Sequence, residues 1–284
     1  GTSLDVSAAP SQTIGSLAGL GGAVNLGAHT LTLGGLGNTS YAGTIVGTGG
    51  LVKLGTGTQT LSGNNTFQGG VALNAGGLLL GSNTALGIGA LSVGGEVTLD
   101  GTSALSLANN VNIGTGGSLN LLGGQPLVFN GLISGTGNIV KNGASLLTLN
   151  GANSFSGGVV ANAGGLLLGN GGALGTGSLT VNGAVTLDGS AALSVANAMN
   201  LGAGGSLNGL GNQALTLGGA ISGPGALVKN GASTLTLHGA NTFTGGLTVN
   251  AGTVAVGLNG TLGTGVAVNL LGPCADPDIS RSGN

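Results

Sequence analysis

Residues 230–257 read NGASTLTLHGANTFTGGLTVNAGTVAVG, and two earlier stretches of the chain repeat this order of residues. Residues 142–169 read NGASLLTLNGANSFSGGVVANAGGLLLG, and residues 54–81 read LGTGTQTLSGNNTFQGGVALNAGGLLLG. A lysine precedes each copy, and the lysines are spaced 88 residues apart, at Lys53, Lys141 and Lys229. A fixed period of this kind identifies a repeat architecture, in which each unit buries its apolar face against its neighbours.

Three more positions coincide in all copies, two asparagines and one phenylalanine. They are Asn65, Asn153 and Asn241, then Phe67, Phe155 and Phe243, then Asn74, Asn162 and Asn250. Asparagine side chains commonly satisfy backbone groups at corners, and a single phenylalanine among glycines fills a core or a corner. We therefore interpret these residues and the lysines as structural. The alternatives are asparagine contacts to a sugar and a phenylalanine platform for carbohydrate stacking.

Apolar and polar residues alternate in most segments between the glycines, as at Leu235–Leu237, Leu247–Val249 and Val254–Val256. This period-two pattern predicts strands of three to five residues with one apolar face. The chain has 67 glycines, which can form tight corners between such strands. Only residues 191–200 suggest a helix. The sequence therefore predicts an all-β fold in which short strands coil and stack.

The pattern V-K-x-G, L-T-L-x-G-A-N-T-F-T-G-G, V-N-A-G-T-V-x-V-G resembles the passenger-associated transport repeat of bacterial autotransporters. The resemblance implies a right-handed parallel β-helix that is exported through the outer membrane ahead of a C-terminal translocator barrel. It also implies a place at the bacterial cell surface or outside the cell. The sequence shows no signal peptide and no barrel, so we expect the chain to be a piece of a passenger.

The period also predicts dimensions. A coil of about 22 residues would make the 88-residue period four coils and the chain about 13 coils, with equivalent residues stacked in one column. We predict a single solenoid over residues 1–269, with signature copies at 54–81, 142–169 and 230–257. Residues 270–284 are predicted to form an irregular or truncated tail.

Two local expectations concern the lysines and an insert. Lys53, Lys141 and Lys229 are expected to face solvent because they are charged. Strict alternation would then turn Leu51, Ile139 and Leu227 outward as well, which predicts a bulge or corner near each lysine. The insert NTSYAG at residues 38–43 interrupts the pattern and is predicted to form a loop.

Composition excludes several classes of function. The chain has four basic and six acidic residues and a net charge of −2. Nucleic-acid binding needs several phosphate contacts from Lys or Arg, so no nucleic-acid partner is expected. Glycines interrupt every apolar run, so no segment reaches the about 18 residues of a transmembrane helix. The lone cysteine, Cys274, is interpreted as a small residue in the tail.

The ionisable residues do not predict an enzyme, a cofactor site or a metal site. Asp100 and Asp188 would lie about 19 Å apart if four coils separated them, whereas the two carboxylates of a glycosidase lie within about 5–10 Å. Glu96 is near Asp100 in sequence but has no basic neighbour. His29 and His238 lack the spacing of zinc ligands, and His238 is expected to face solvent.

The leading hypothesis is a non-enzymatic stalk that assists its own secretion and folding and presents more distal regions. One alternative is an adhesin or carbohydrate-binding surface, which would use outward Thr and Asn side chains to contact a host surface or glycan. Another is an extracellular filament formed by end-to-end self-association, since the ends of a solenoid expose strand edges.

Overall fold

The computed structural model describes residues 2–264 and 267–271, and these residues contain strands and turns but no helix. The chain divides into two compact units, Gly1–Ile139 and Val140–Asn284, called unit 1 and unit 2 below. The predicted single domain is not tested by this division and stays a prediction. The all-β class is confirmed.

The strands of unit 1 are short because a glycine or a polar corner interrupts the chain every few residues. They are β1 (Ser3–Asp5), β2 (Gln12–Ile14), β3 (Ala23–Asn25), β4 (Leu31–Leu33), β5 (Thr39–Tyr41), β6 (Thr44–Val46), β7 (Leu51–Lys53), β8 (Thr58–Leu61), β9 (Val71–Leu73), β10 (Gly77–Leu80), β11 (Leu91–Val93), β12 (Glu96–Gly101), β13 (Leu105–Leu107), β14 (Val111–Ile113), β15 (Ser118–Leu121), β16 (Leu127–Phe129) and β17 (Ile133–Gly135). The boundary with unit 2 falls inside β18 (Asn138–Lys141).

The strands of unit 2 have the same character. They are β19 (Leu146–Leu149), β20 (Val159–Ala161), β21 (Gly164–Leu168), β22 (Leu179–Val181), β23 (Ala184–Gly189), β24 (Leu193–Val195), β25 (Met199–Leu201), β26 (Ser206–Gly209), β27 (Leu215–Leu217), β28 (Ile221–Ser222), β29 (Ala226–Lys229), β30 (Thr234–Leu237), β31 (Leu247–Val249), β32 (Thr253–Val256) and β33 (Val268–Leu270).

In unit 1 the strands form parallel sheets in which each strand pairs with one from the next turn of the chain. The orders are β2-β4-β7-β9-β11-β14-β17, β5-β8-β10-β12-β15, β1-β3-β6 and β13-β16. Neighbours in a sheet are never consecutive along the chain, because the strands between them belong to the other faces of the turn. Unit 1 is therefore a parallel β-helix, as the sequence predicts.

Unit 2 has the same organisation. Its sheets have the orders β20-β22-β25-β28, β19-β21-β23-β26-β29-β31-β33 and β24-β27-β30-β32. The two units contain about 13 turns between them, which confirms the predicted number.

The predicted turn length is wrong, and the register shows why. In unit 2, Leu147 pairs with Leu166, Leu166 with Leu187, Leu187 with Gly209, and Gly209 with Lys229. Leu147 thus precedes Lys229 by four turns but by only 82 positions. A turn takes about 20 residues, and the 88-residue period is four turns plus six residues.

The six extra residues carry the repeat to the next strand of the turn. Lys141 lies on β18, and its backbone carbonyl oxygen accepts a hydrogen bond from the N–H of Asn162, the residue after β20. Lys141 is thus in the sheet that contains β20. Lys229 lies on β29, in the sheet that contains β19 instead. Within unit 2 the equivalent residues of successive copies therefore occupy different sheets, and the prediction that they stack in one column is wrong.

The core of each unit is a set of columns of aliphatic side chains. In unit 1, Leu31, Leu51, Val71, Leu91 and Val111 are register partners in successive turns, and each is buried. Burying one such side chain contributes about 1.5–3 kcal/mol. Because partners are only one turn apart, each turn completes the burial of the turn before it.

Two predicted irregular segments are strands instead. Residues 38–43, predicted to be a loop, contain β5, which pairs with β8 and buries Tyr41. Thr39, Ser40 and Tyr41 are register partners of Gln59, Thr60 and Leu61. Residues 191–200, the suggested helix, contain β24 and the first two residues of β25. The predicted tail, residues 270–284, lies outside the described residues from residue 272 onward.

Candidate functional site

The three signature lysines are buried, so the prediction that they face solvent is wrong. Lys53, Lys141 and Lys229 are 3%, 1% and 1% exposed. Leu51, Ile139 and Leu227 are buried as well, so no bulge is needed: residues two apart on a strand share a face, and both point inward. The apolar stem of lysine packs in the core while its ammonium group reaches backbone oxygens.

Each ammonium group donates to at least one backbone carbonyl oxygen. The Nζ atoms of Lys53, Lys141 and Lys229 donate to the carbonyl oxygens two residues further on, those of Gly55, Gly143 and Gly231. Lys141 and Lys229 also donate to a carbonyl oxygen in the next turn, that of Ala163 or Ala251, at 3.3 Å. The lysine thus holds a corner that would otherwise bury unpaired carbonyl oxygens.

Burial shifts the proton equilibria of these lysines. Loss of hydration lowers the pKa of Lys53. The same cause lowers the pKa of Lys229, and the negative charge of Asp188 opposes that change. Asp188 is itself buried: its Oδ1 accepts the Gly189 N–H at 2.9 Å, and its Oδ2 accepts the Asn212 amide at 2.5 Å. Asp188 therefore has a structural place beside Lys229.

The first signature asparagine bridges three successive turns. Asn65 Oδ1 accepts the Ile45 N–H at 2.8 Å, and its Nδ2 donates to the Ala85 carbonyl oxygen at 2.7 Å. Asn241 does the same between Ile221 and Thr261, at 2.8 and 2.6 Å. Asn153 Nδ2 donates to the Ala173 carbonyl oxygen at 2.6 Å. These side-chain amides bond to backbone groups inside the coil, so they are not available to bind a sugar.

The signature phenylalanines are inside the coils. Phe67, Phe155 and Phe243 are 0% exposed, so none of them offers a stacking platform at the surface. Each of the first two packs under a glycine of the next turn, Gly87 at φ +68° and Gly175 at φ +69°. A Cβ atom on either glycine would come within 2.4 Å of the phenylalanine carbonyl oxygen, or closer. The ring and the glycine therefore form one packing unit.

The last signature asparagine lies one turn after the lysine and is hydrogen-bonded to it through the backbone. The backbone N–H groups of Asn74, Asn162 and Asn250 donate to the carbonyl oxygens of Lys53, Lys141 and Lys229. In unit 2 their side chains form ladders at the surface. Asn182 donates to Asn162 at 2.9 Å, Asn162 to Asn142 at 2.7 Å, and Asn250 to Asn230 at 2.6 Å. These ladders join successive turns.

The ionisable residues predicted to be structural have the following places. Among the described residues, no group of three or more His, Cys, Asp and Glu side chains could hold a metal ion. Asp100 accepts backbone N–H groups from Gly101 and Gly124, at 2.9 and 3.0 Å, which gives it a structural place like that of Asp188. Asp100 lies in unit 1 and Asp188 in unit 2. His238 is exposed, as predicted.

Sequence reasoning missed one feature of unit 1, an open cleft of about 720 Å³ that we call the Ile88 cleft. Three segments line it: Asn64–Thr66, Gly81–Thr84 together with Ile88, and Ser103–Leu105. The sequence signal that could have indicated the cleft is a difference between the first and second copies of the repeat. Eighty-eight residues after Asn64, Asn83, Thr84 and Ile88, the second copy has Ala152, Gly171, Gly172 and Thr176.

None of the described residues belongs to a helix long and apolar enough to cross a membrane.

Comparison with known proteins supports the resemblance on which the sequence prediction rests. The model of one family, described as the passenger-associated transport repeat, matches residues 51–80, 139–168 and 227–256. Each match begins at the buried residue two positions before a signature lysine. Searches of curated proteins and of solved structures each find no significant match. The chain is thus a β-solenoid that carries three passenger-associated transport repeats, and these repeats indicate a secreted or surface-exposed protein.

Proposed function

We propose that the chain is the non-enzymatic stalk of an autotransporter passenger, which assists its own secretion and folding and presents more distal regions outside the cell. Its partner in this proposal is an outer-membrane translocator barrel, through which the chain passes before it folds. The repeats support export, and the stacked turns support a role that depends on folding.

The observation that carries the proposal is the short range of the contacts. Leu215 pairs with Leu235, and Leu235 with Val254, so a turn needs only the turn before it as a template. Those pairings span 20 and 19 residues, and the two hydrogen bonds of the Asn241 side chain to neighbouring turns each span 20. A chain that emerges gradually can therefore fold one turn at a time.

Burial of each turn also gives the process a direction. Apolar side chains such as Leu235 and Leu237 leave water when their turn closes, and each contributes about 1.5–3 kcal/mol. A folded turn outside the membrane resists return through a narrow barrel. The chain's ten charged residues and five aromatic residues also present few bulky or ionised groups to the pore.

The experiment places the chain between a signal peptide and a translocator barrel and compares two substitutions on β30. Leu235→Asp puts a carboxylate in the core, whereas Thr236→Asp puts the same group on the outward face of the same strand. Surface display is measured by protease treatment of intact cells that lack the main periplasmic protease. We expect Leu235→Asp to accumulate inside the cell and Thr236→Asp to reach the surface like the unaltered chain.

Equal display of both variants would overturn the role of folding in secretion. Failure of the unaltered chain to reach the cell surface, although it is attached to the barrel, would also count against the proposal.

A further inference from the structure

The Ile88 cleft carries an inference that goes beyond the stalk function. We propose that this cleft binds a short neutral glycan. The cleft lies on one side of unit 1, where the loops after β8 and β10 and the segment that leads into β13 meet.

Two amide groups in the cleft are held in place and present donors. Asn64 Oδ1 accepts the Thr84 hydroxyl at 3.2 Å, and Asn83 Oδ1 accepts the Ser106 backbone N–H at 2.8 Å. These bonds fix which way each amide faces. Among the described residues, neither Nδ2 group has a hydrogen-bond partner, so both can donate to a ligand. Donors that are already oriented lose little conformational entropy on binding.

The cleft also offers an apolar surface next to these donors. Ile88 is 66% exposed, a large fraction for an isoleucine, and Leu105 lies at the base of the cleft with 6% exposed. Small-molecule sites combine apolar walls with a few oriented polar groups, and their volumes are about 300–1,000 Å³. A sugar ring has both kinds of surface, since its C–H groups can pack on Ile88 while its hydroxyl groups bond to the amides.

The charge of the lining selects the class of glycan. The residues that line the cleft are Asn, Thr, Ser, Gly, Ala, Ile and Leu, so none of the lining side chains described by the structure is ionisable. An acidic sugar or a phosphate would be desolvated there without a cation to pair with it. Uncharged hydroxyl groups match the lining, because amides and hydroxyls both donate to and accept from them.

The second copy of the repeat provides an internal control. Asn65 and Asn153 are equivalent and both are buried, so the local fold is the same. Seven of the eleven residues that line the cleft differ 88 positions later, and four of them supply the groups proposed to bind the glycan: Asn64, Asn83, Thr84 and Ile88 correspond to Ala152, Gly171, Gly172 and Thr176. The second copy shows that this fold does not require the polar and apolar groups of the cleft.

The experiment uses that difference. The full chain is applied to an array of neutral and acidic glycans, and the affinity of the best neutral oligosaccharide is measured by calorimetry. A variant with Asn64→Ala, Asn83→Gly, Thr84→Gly and Ile88→Thr gives these four positions of the first copy the residues of the second. The control is Asn142→Ala, which removes one rung of the surface ladder in unit 2.

We expect a neutral glycan to bind the unaltered chain and the control equally, and the fourfold variant to lose at least about tenfold in affinity. Thermal unfolding should show that the fourfold variant remains folded, since the same residues fold in the second copy. The single variants Asn64→Ala and Ile88→Thr provide a second test and should each weaken binding. Selection of acidic glycans only, no binding of any neutral glycan, or unchanged affinity in the folded fourfold variant would overturn the proposal.

Discussion

Lys53 in unit 1 and Lys229 in unit 2 hold the same position in the repeat, and both ammonium groups are buried against a carbonyl oxygen two residues away. Their surroundings differ. Lys229 also donates to Ala251 in the next turn and lies near the Asp188 carboxylate. Asp188 precedes Lys229 by 41 positions, and the residue at that distance before Lys53 is Gln12. The repeat thus determines where the lysine points, while residues outside the signature determine how its charge is balanced.

The largest expected effect tests what the two units share. Phe67→Ala in unit 1 and Phe155→Ala in unit 2 each remove a ring that is fully buried under a glycine. We expect each substitution to lower the free energy of unfolding by about 3–5 kcal/mol, because the rigid coil cannot close the cavity. Chemical denaturation of the two variants measures the loss. A loss below about 1 kcal/mol in either unit would show that its ring is not in the core.

The next effect tests how the units differ. Lys229→Met removes the hydrogen bonds to Gly231 and Ala251 and a positive charge that the Asp188 carboxylate stabilises, and we expect a loss of about 2 kcal/mol in the free energy of unfolding. Lys53→Met removes one hydrogen bond, which lowers stability, and a buried charge, which raises it. We therefore expect a loss of only about 1 kcal/mol in the free energy of unfolding. Denaturant titration compares the two variants.

A double variant provides the control for the lysine comparison. Adding Asp188→Asn to Lys229→Met also removes the negative charge of Asp188 and should restore part of the stability. If the second substitution adds a further loss equal to its effect alone, Asp188 and Lys229 do not interact.

A similar effect concerns the asparagine bridges. Asn65→Ala breaks two buried hydrogen bonds, to Ile45 and Ala85, and leaves their backbone groups unpaired. We expect a loss of about 2 kcal/mol in unfolding free energy. The half-buried ladder residue Asn162, whose side-chain hydrogen bonds are exposed, gives the matched comparison, and Asn162→Ala should cost about 0.5 kcal/mol or less because water replaces its partners. Equal losses would contradict the structural difference between the two asparagines.

The smallest effect is the pH dependence of stability that comes from Lys53. Burial lowers its pKa below the usual 10.5, so the unfolded chain binds more protons than the folded chain between these two values. Stability from this residue therefore rises as pH increases through that window and is lost as pH falls through the lowered pKa. Tyr41 acts in the opposite sense above pH 10.0, since burial raises its pKa.

The measurement removes the tyrosine contribution. Unfolding free energies of Tyr41→Phe and of Tyr41→Phe with Lys53→Met are compared from neutral pH to pH 10.5. We expect the first variant to gain stability relative to the second as pH increases. A difference that stays constant or decreases with pH would contradict the burial of the Lys53 ammonium group.

The sequence predicted the solenoid because short alternating strands and corner glycines are local signals. It also predicted inner positions for Phe67 and a backbone-binding place for Asn65, since a large ring or an amide among glycines has few other structural uses. It failed at Lys53, where the expectation that charge faces water was preferred to the alternation that puts Leu51 and Lys53 on one face.

The turn length and the Ile88 cleft were not predicted because no local sequence pattern determines them. Register steps vary from 19 residues between Leu149 and Leu168 to 22 between Leu187 and Gly209, because corners differ in length. The turn length therefore could not be obtained by dividing the period by a whole number. The Ile88 cleft was missed because it depends on side chains that the copies do not share, such as Asn83.

The most direct test of the account is the length of one turn in unit 2. Asn208 and Val228 are register partners 20 residues apart, and adjacent strands lie about 4.8 Å apart, which suits a disulfide. In a Cys274→Ser background, we predict that Asn208→Cys with Val228→Cys forms an intramolecular disulfide under mild oxidation, as detected by mass spectrometry of proteolytic fragments. Asn208→Cys with Asn230→Cys, the pair expected from a 22-residue turn, should remain reduced. Preferential oxidation of the second pair would contradict the stacking of turns described for this protein.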